Sequence, residues 1–185
     1  TAIIGHCLRH QNLGKHIITT AIEHHSVLEP IEYLVENFGF EVTILQPINQ
    51  EITVQQVQEA LRDDTILVSI MYANNETGTL LPISEIGELL KQHQASFHVD
   101  AVQAVGKVPI LPEVLGIDFL SASAHKFHGP KGIGFLYAAS TDFDPYLHGG
   151  DQEQKKRAGT ENLPAIIGMV AALKDDIDHL EANFN

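Results

Sequence analysis

Short apolar segments rich in β-branched residues alternate along this chain with segments of helical periodicity, and that alternation leaves few architectures open. Ile17–Thr20, Glu41–Leu45, Ile66–Met71, Phe97–Val99, Phe119–Ala122 and Gly134–Tyr137 read as strands. After the first, Val27, Leu28, Ile31, Leu34, Val35 and Phe38 recur at the spacing of one helix face, and Gly39 ends the run. Ser84 is placed to cap a helix bearing Ile86, Leu89 and Leu90. Pro164 opens a long helix with Ile166, Val170, Leu173, Ile177, Leu180 and Phe184 on one stripe. Strands and helices in alternation imply a doubly wound, three-layer α/β/α fold around a mostly parallel sheet. Ligands of such sheets bind beyond the carboxyl ends of the strands, so the residues that follow strands carry the functional interest.

With 185 residues, 44% of them hydrophobic, the chain is expected to form a single domain with a sizeable core. A formal charge of −13 argues against a nucleic-acid surface, and the one basic run, Lys155-Lys156-Arg157, does not outweigh 24 acids. No apolar stretch approaches a membrane span, and with no basic head and apolar core at its start the chain is not expected to carry a signal peptide. A single cysteine excludes an internal disulfide framework, which fits a reducing, cytoplasmic setting.

Two of the strand ends carry complementary chemistry. The run Ser121-Ala-Ser123-Ala-His125-Lys126-Phe-His128-Gly129-Pro-Lys131-Gly132 sets a lysine among hydroxyls, imidazoles and glycines. A lysine amine in such surroundings can form a Schiff base with a carbonyl. Upstream, Phe97-His98-Val99-Asp100-Ala-Val-Gln103 puts an acid and an amide three residues apart as a strand ends. Pyridoxal 5'-phosphate works as an electron sink when a carboxylate faces its ring nitrogen and a lysine faces its aldehyde, and Asp100 and Lys126 suit those two roles. Gln103 could donate to the ring oxygen if residues 100–103 turn out of the strand. Taken singly, the acid also reads as a turn residue and the lysine as part of a solvated loop.

Five segments in order narrow the choice. Thr20-Ala-Ile-Glu23-His24-His25-Ser-Val, Tyr72-Ala-Asn74-Asn75-Glu76-Thr77-Gly78, His98-Val-Asp100-Ala-Val-Gln103, Ser123-Ala-His125-Lys126 with Gly129-Pro-Lys-Gly132, and His148-Gly-Gly150 with Arg157-Ala-Gly-Thr160-Glu-Asn162 together resemble the cysteine desulfurases. These are class V, fold type I enzymes dependent on pyridoxal phosphate, and the resemblance runs over essentially the whole chain. It implies the central part of the large domain of that fold, with Lys126 joined to the cofactor, Asp100 on the pyridine nitrogen and Gln103 on the ring hydroxyl. His24, the first histidine after the acid, would stack on the ring and move protons. Asn75 would stand near the cofactor hydroxyl and the substrate carboxylate. Ser123 and His125 would bind the phosphate, and Thr160 would reach the phosphate of a neighbouring subunit, which implies a homodimer.

The resemblance further implies that L-cysteine gives up its sulfur to an enzyme thiolate, leaving L-alanine and a persulfide for sulfur-acceptor or iron–sulfur scaffold proteins. The family's phosphate loop would precede Thr1, and its sulfur-accepting cysteine, in a small domain, would follow Asn185. Cys7 matches no motif, and the chain by itself is expected to be inactive. Two other readings stay open. The chain could belong to another class V lyase or transaminase, or to a non-catalytic scaffold that binds sulfur acceptors. His6, Cys7 and His10 share a helical spacing, but without a fourth ligand they read as a helix face and no metal site is expected. The glycines at 129–134 fit no nucleotide-binding pattern.

Overall fold

The computed structural model describes residues 1–49 and 51–180. Helix α1 (Ala2–His10) leads into β1 (His16–Thr20), followed by α2 (His25–Phe38), β2 (Glu41–Leu45), α3 (Val54–Ala60) and β3 (Thr65–Ser69). Then come α4 (Ile83–Leu90), β4 (Ser96–Asp100), β5 (Phe119–Ser123), a 3-10 turn at Ala124–Lys126, β6 (Gly134–Ala138), the short α5 (Gln152–Lys155) and α6 (Leu163–Asp178). The six strands form one sheet in the order β2-β1-β3-β4-β5-β6, parallel throughout except for β6, which runs antiparallel to β5.

Two apolar cores separated by this sheet explain its two-sided covering. On one side Ile18, Val68, Phe97, Val99 and Leu120 pack with Val57, Ile83, Ile86 and Leu90 of α3 and α4. On the other, Ile17, Ile66 and Leu67 pack with Ile3, Ile4 and Cys7 of α1 and with Val27, Ile31 and Leu34 of α2. Strands buried on both faces are the expected consequence of parallel crossovers, and β1 and β3 are buried at every residue.

Two histidines pin the sheet from within. On β1, His16 has Nδ1 2.7 Å from Thr65 Oγ1 and Nε2 2.8 Å from Thr43 Oγ1, joining the strands on either side. His98 does the same from β4, with Nδ1 2.8 Å from Ser69 Oγ and Nε2 2.9 Å from Ser121 Oγ. Each imidazole thus satisfies both of its nitrogens inside the sheet, as a buried polar ring must.

The sequence reading needs adjustment at several helices. Helix α2 starts two residues before Val27, because His24 caps it with Nδ1 accepting from Ser26 N at 3.1 Å, and it ends at Gly39 with φ +68°. Ser84 does not cap α4: the helix begins at Ile83 with Pro82 at its N-cap, Ile83 is buried and Ser84 faces solvent. Helix α6 opens with Asn162 Oδ1 accepting from Ala165 N at 3.2 Å and ends at Asp178, before Leu180, while Phe184 lies outside the described residues. Its buried face is also rotated from the expected stripe. Met169 and Asp176 are buried, with Ala172 and Leu173 partly so, whereas Val170 and Ile177 are exposed.

Candidate active site

Parallel strands share one carboxyl end, so residues that follow β1, β3, β4 and β5 converge on one edge of the sheet. His24 follows β1, Asn75 follows β3, Asp100 closes β4, and Lys126 ends the 3-10 turn that leaves β5. Backbone hydrogen bonds continue past the strands and fix these exits: Tyr72 N donates to Asp100 O at 2.9 Å and Ala101 N to Ser121 O at 2.9 Å. The chain beyond Asp100 does turn out of the strand, with Ala104 N donating to Ala101 O at 2.9 Å, and Gln103 lies in that turn.

Asp100 is 7% exposed, and its Oδ1 accepts from Val102 N at 3.0 Å. Burial pushes its carboxyl above the ordinary carboxylate range, while that hydrogen bond and the nearby His24 imidazole act in the opposite sense. His24 is exposed, as is Asn75, and both line an open cavity of about 370 Å3 with Ile22, Glu23, Asn74 and Thr77. Asn74 builds that wall. Its Oδ1 accepts from Glu76 N at 3.0 Å and Thr77 N at 2.9 Å, while its Nδ2 donates to Ile22 O at 3.1 Å.

The Lys126 segment is held from behind. Phe127 is buried, Gly129 N donates to Ala124 O at 2.8 Å, and His128 Nδ1 lies 2.9 Å from Asp176 Oδ1 on α6. His128 has φ +61°, a conformation that few side chains adopt without such an anchor. Lys126 itself is exposed at the carboxyl edge. Ser123 Oγ and His125 Nδ1 are 2.9 Å apart, so the two residues expected to share an anion already face each other. Gln103 is engaged by Lys107, whose Nζ donates to Gln103 Oε1 at 3.1 Å. With its amide oxygen taken, the Gln103 Nε2 group is the donor left for a ligand. Thr160 stands apart: it is exposed between α5 and α6, and among the described residues it shares no hydrogen bond with the others.

Four supporting residues were not legible as such: Glu23, Asn74, Lys107 and Asp176. The signal for the first two was their adjacency to His24 and Asn75; nothing local marks Lys107 or Asp176. A second cavity, about 230 Å3, lies at the opposite end of the sheet and includes His6 and His10. There His6 Nε2 lies 3.0 Å from Ile66 O, His10 Nε2 lies 2.9 Å from Asp142 O, and Cys7 is fully buried. Among the described residues no group of three or more His, Cys, Asp or Glu is arranged to hold a metal ion.

The mostly parallel α/β sheet with its helices matches the aminotransferase-like fold of pyridoxal-phosphate enzymes. Residues 1–181 match the Aminotransferase class-V family, and the chain belongs to it. It is 54% identical over 171 residues to the cysteine desulfurase IscS of Methanosarcina thermophila, covering 91% of this chain and 42% of that relative. With the cysteine desulfurase IscS of Dictyoglomus turgidum (strain DSM 6724 / Z-1310) it shares 51% over 176 residues, 94% of this chain and 44% of the relative. The crystal structure of DndA from Streptomyces lividans superimposes with a TM-score of 0.91 at 40% identity, over 98% of this chain and 53% of that one. The chain therefore spans about half the length of the curated relatives it matches.

Proposed function

We propose that this chain is the cofactor-binding part of a cysteine desulfurase, and that its cofactor is pyridoxal 5'-phosphate. The observation that carries the reading is the convergence of His24, Asp100 and Lys126 at one carboxyl edge, on strands β1, β4 and β5, with Asp100 buried and close enough to His24 to feel its charge. That donor set fits the group: an amine for the aldehyde, an acid for the ring nitrogen, an imidazole at the ring and a free amide donor at Gln103. When bound, pyridoxal phosphate supplies an electron sink that labilises bonds at the α-carbon of an amino acid.

The chain's own residues divide the remaining work. Asp100, drawn out of water, holds a proton at the ring nitrogen more strongly than an exposed acid would. Lys126 would hold the aldehyde end of the cofactor, and its amine, when free, would be a base positioned to carry a proton. His24 Nδ1 is taken by the α2 cap, so its Nε2 is the atom that exchanges protons with substrate. Ser123, His125 and, from the partner subunit of a homodimer, Thr160 would bind the phosphate. Asn75 orients the substrate carboxylate. The substrate is L-cysteine, in keeping with a related structure, SspA, that holds cysteine and superimposes with a TM-score of 0.89 at 42% identity.

In the overall step, sulfur passes from cysteine to a protein thiolate to give a persulfide, and the carbon skeleton leaves as L-alanine for every sulfur transferred. The accepting thiolate, with an upstream phosphate loop and a small domain, belongs to the half of the relatives' length that this chain does not span. Cys7 is not that thiol: it is fully buried and burial pushes its thiol far up, away from the reactive thiolate form. Sulfur-acceptor or iron–sulfur scaffold proteins in the cytoplasm would take the persulfide sulfur. The test is the complete gene product, assayed with L-cysteine and a thiol reductant for stoichiometric alanine and sulfide. Lys126→Ala is expected to abolish both; turnover unaffected by that substitution would contradict the proposal.

A further inference from the structure

Glu23 is the one buried acid at the carboxyl edge to which no step above gives a role. It is 7% exposed and sits in the link between β1 and His24. Its Oε1 accepts from Thr20 Oγ1 at 2.8 Å and from Met71 N at 2.9 Å, so a single oxygen ties the end of β1 to the exit of β3. The next residue along is His24, and the segment it grips at Met71 runs on to Asn75. Asn74 makes the reciprocal bond, Nδ2 to Ile22 O at 3.1 Å, so the two loops are clasped at two points. The other oxygen, Oε2, is the only buried side-chain nitrogen or oxygen among the described residues that has no hydrogen-bond partner.

We propose that Glu23 is a positioning residue of the cofactor site, whose carboxyl clasps the His24 loop to the exit of β3 and so sets His24 and Asn75 against one another across the cavity. The inference rests on the cofactor reading given above. A surface loop pair would be held by backbone bonds alone; here a charged residue type has been drawn into the core beside Asp100, where an acid is costly unless it makes bonds that nothing else can. The charged group acting on it is Asp100 from β4, and His24 and His25 at the start of α2 and Glu76 from the turn after β3 line the same cavity.

The carboxyl performs this role as the neutral acid. Burial pushes it up to about 8, with the bonds from Met71 N and Thr20 acting against the shift and the Asp100 charge adding to it. In that state Asp100 has no second negative charge beside it. As pH rises through about 8 the proton leaves and a second, buried carboxylate appears beside Asp100, so that repulsion enters the cofactor site even as the bonds from Thr20 and Met71 strengthen. Glutamine, neutral at every pH and carrying the same acceptor oxygen, should stand in for it.

The test uses the complete gene product with its pyridoxal phosphate removed and measures cofactor affinity by absorbance from pH 7 to 9.5. At pH 7 Glu23→Ala is expected to weaken affinity about ten-fold or more, because it leaves the Thr20 hydroxyl and the Met71 amide without their acceptor. Glu23→Gln is expected to stay within about three-fold of the natural protein at pH 7 and to lack the part of its affinity loss centred near pH 8. Should Glu23→Ala fail to fold, the comparison of Glu23→Gln with the natural protein across pH stands by itself. Affinity curves for those two that run parallel from pH 7 to 9.5, or Glu23→Gln as damaging as Glu23→Ala, would overturn the proposal. A natural protein that binds no pyridoxal phosphate would instead count against the cofactor reading on which it rests.

Discussion

Replacing His98 with phenylalanine should change how the fold responds to acid, by an amount the structure allows to be worked out. His98 is 2% exposed, and both ring nitrogens sit within 2.9 Å of a hydroxyl, on Ser69 and Ser121. Burial depresses its pKa from 6.5 to about 4. The unfolded chain therefore takes up a proton between about pH 6.5 and 4 that the native chain refuses, so stability is full above 6.5 and is lost as pH falls toward 4. Each pH unit inside that window is worth about 1.4 kcal/mol, which makes the loss at pH 5 on the order of 2 kcal/mol. His98→Phe removes the titration and also two hydrogen bonds, at about 1 kcal/mol each. At pH 7.5 the variant should be roughly 2 kcal/mol less stable than the natural protein, and at pH 5 the two should be nearly equal. Urea denaturation at both pH values measures the difference, and His6, also depressed to about 4 by burial, cancels because both proteins contain it. A stability gap that stays the same at pH 7.5 and pH 5 would refute the reasoning.

Three further outcomes can be checked with simple assays. A Cβ at Gly87 of α4 would run into the Leu115 carbonyl, so Gly87→Ala should cost about 1–3 kcal/mol in a thermal melt. Asp176→Ala should free His128 and the Lys126 segment, speeding amide hydrogen exchange at Phe127 and Gly129 while costing only about 1 kcal/mol overall, since His128 is largely exposed. The 185-residue chain by itself should release no alanine from L-cysteine even when loaded with pyridoxal phosphate, because its single thiol is sealed in the core; alanine formation would contradict that assignment of Cys7.

Where local chemistry decides, the sequence was readable. Glu41–Leu45 matches β2 at both ends, and the other strands differ from their expected bounds only at the ends, by up to two residues, because the ladder runs past or stops short of the apolar run. Helix α3 escaped notice although Thr53 and Gln56 form its capping box; seven residues with one buried side chain give little periodicity. The left-handed residues Glu153, Gln154 and Lys155 in α5 have no sequence signature, since none is a glycine. For α6 the failure is instructive. Its apolar residues surround more than half the helix, so the stripe alone could not say which face turns inward, and the anchor that decides it is a charged residue, Asp176, reaching His128.

The site shows the same division. Asp100, Lys126, His24 and Asn75 each follow a strand, and parallel topology is enough to bring strand exits together. Nothing local to Glu23 marks it as a buried residue. Its burial comes from the exit of β3, nearly fifty residues away in sequence, through Met71. The Gln103 amide was expected to serve a ligand, but only the structure shows Lys107 occupying its oxygen.

The most direct measurement is borohydride reduction of the protein with pyridoxal phosphate, first on the complete gene product, followed by peptide mapping. A stable pyridoxyl adduct on Lys126, lost in Lys126→Ala, is the expected result. An adduct confined to other lysines, or none at all under conditions where the protein is folded, would contradict the assignment of this strand edge as a pyridoxal-phosphate site.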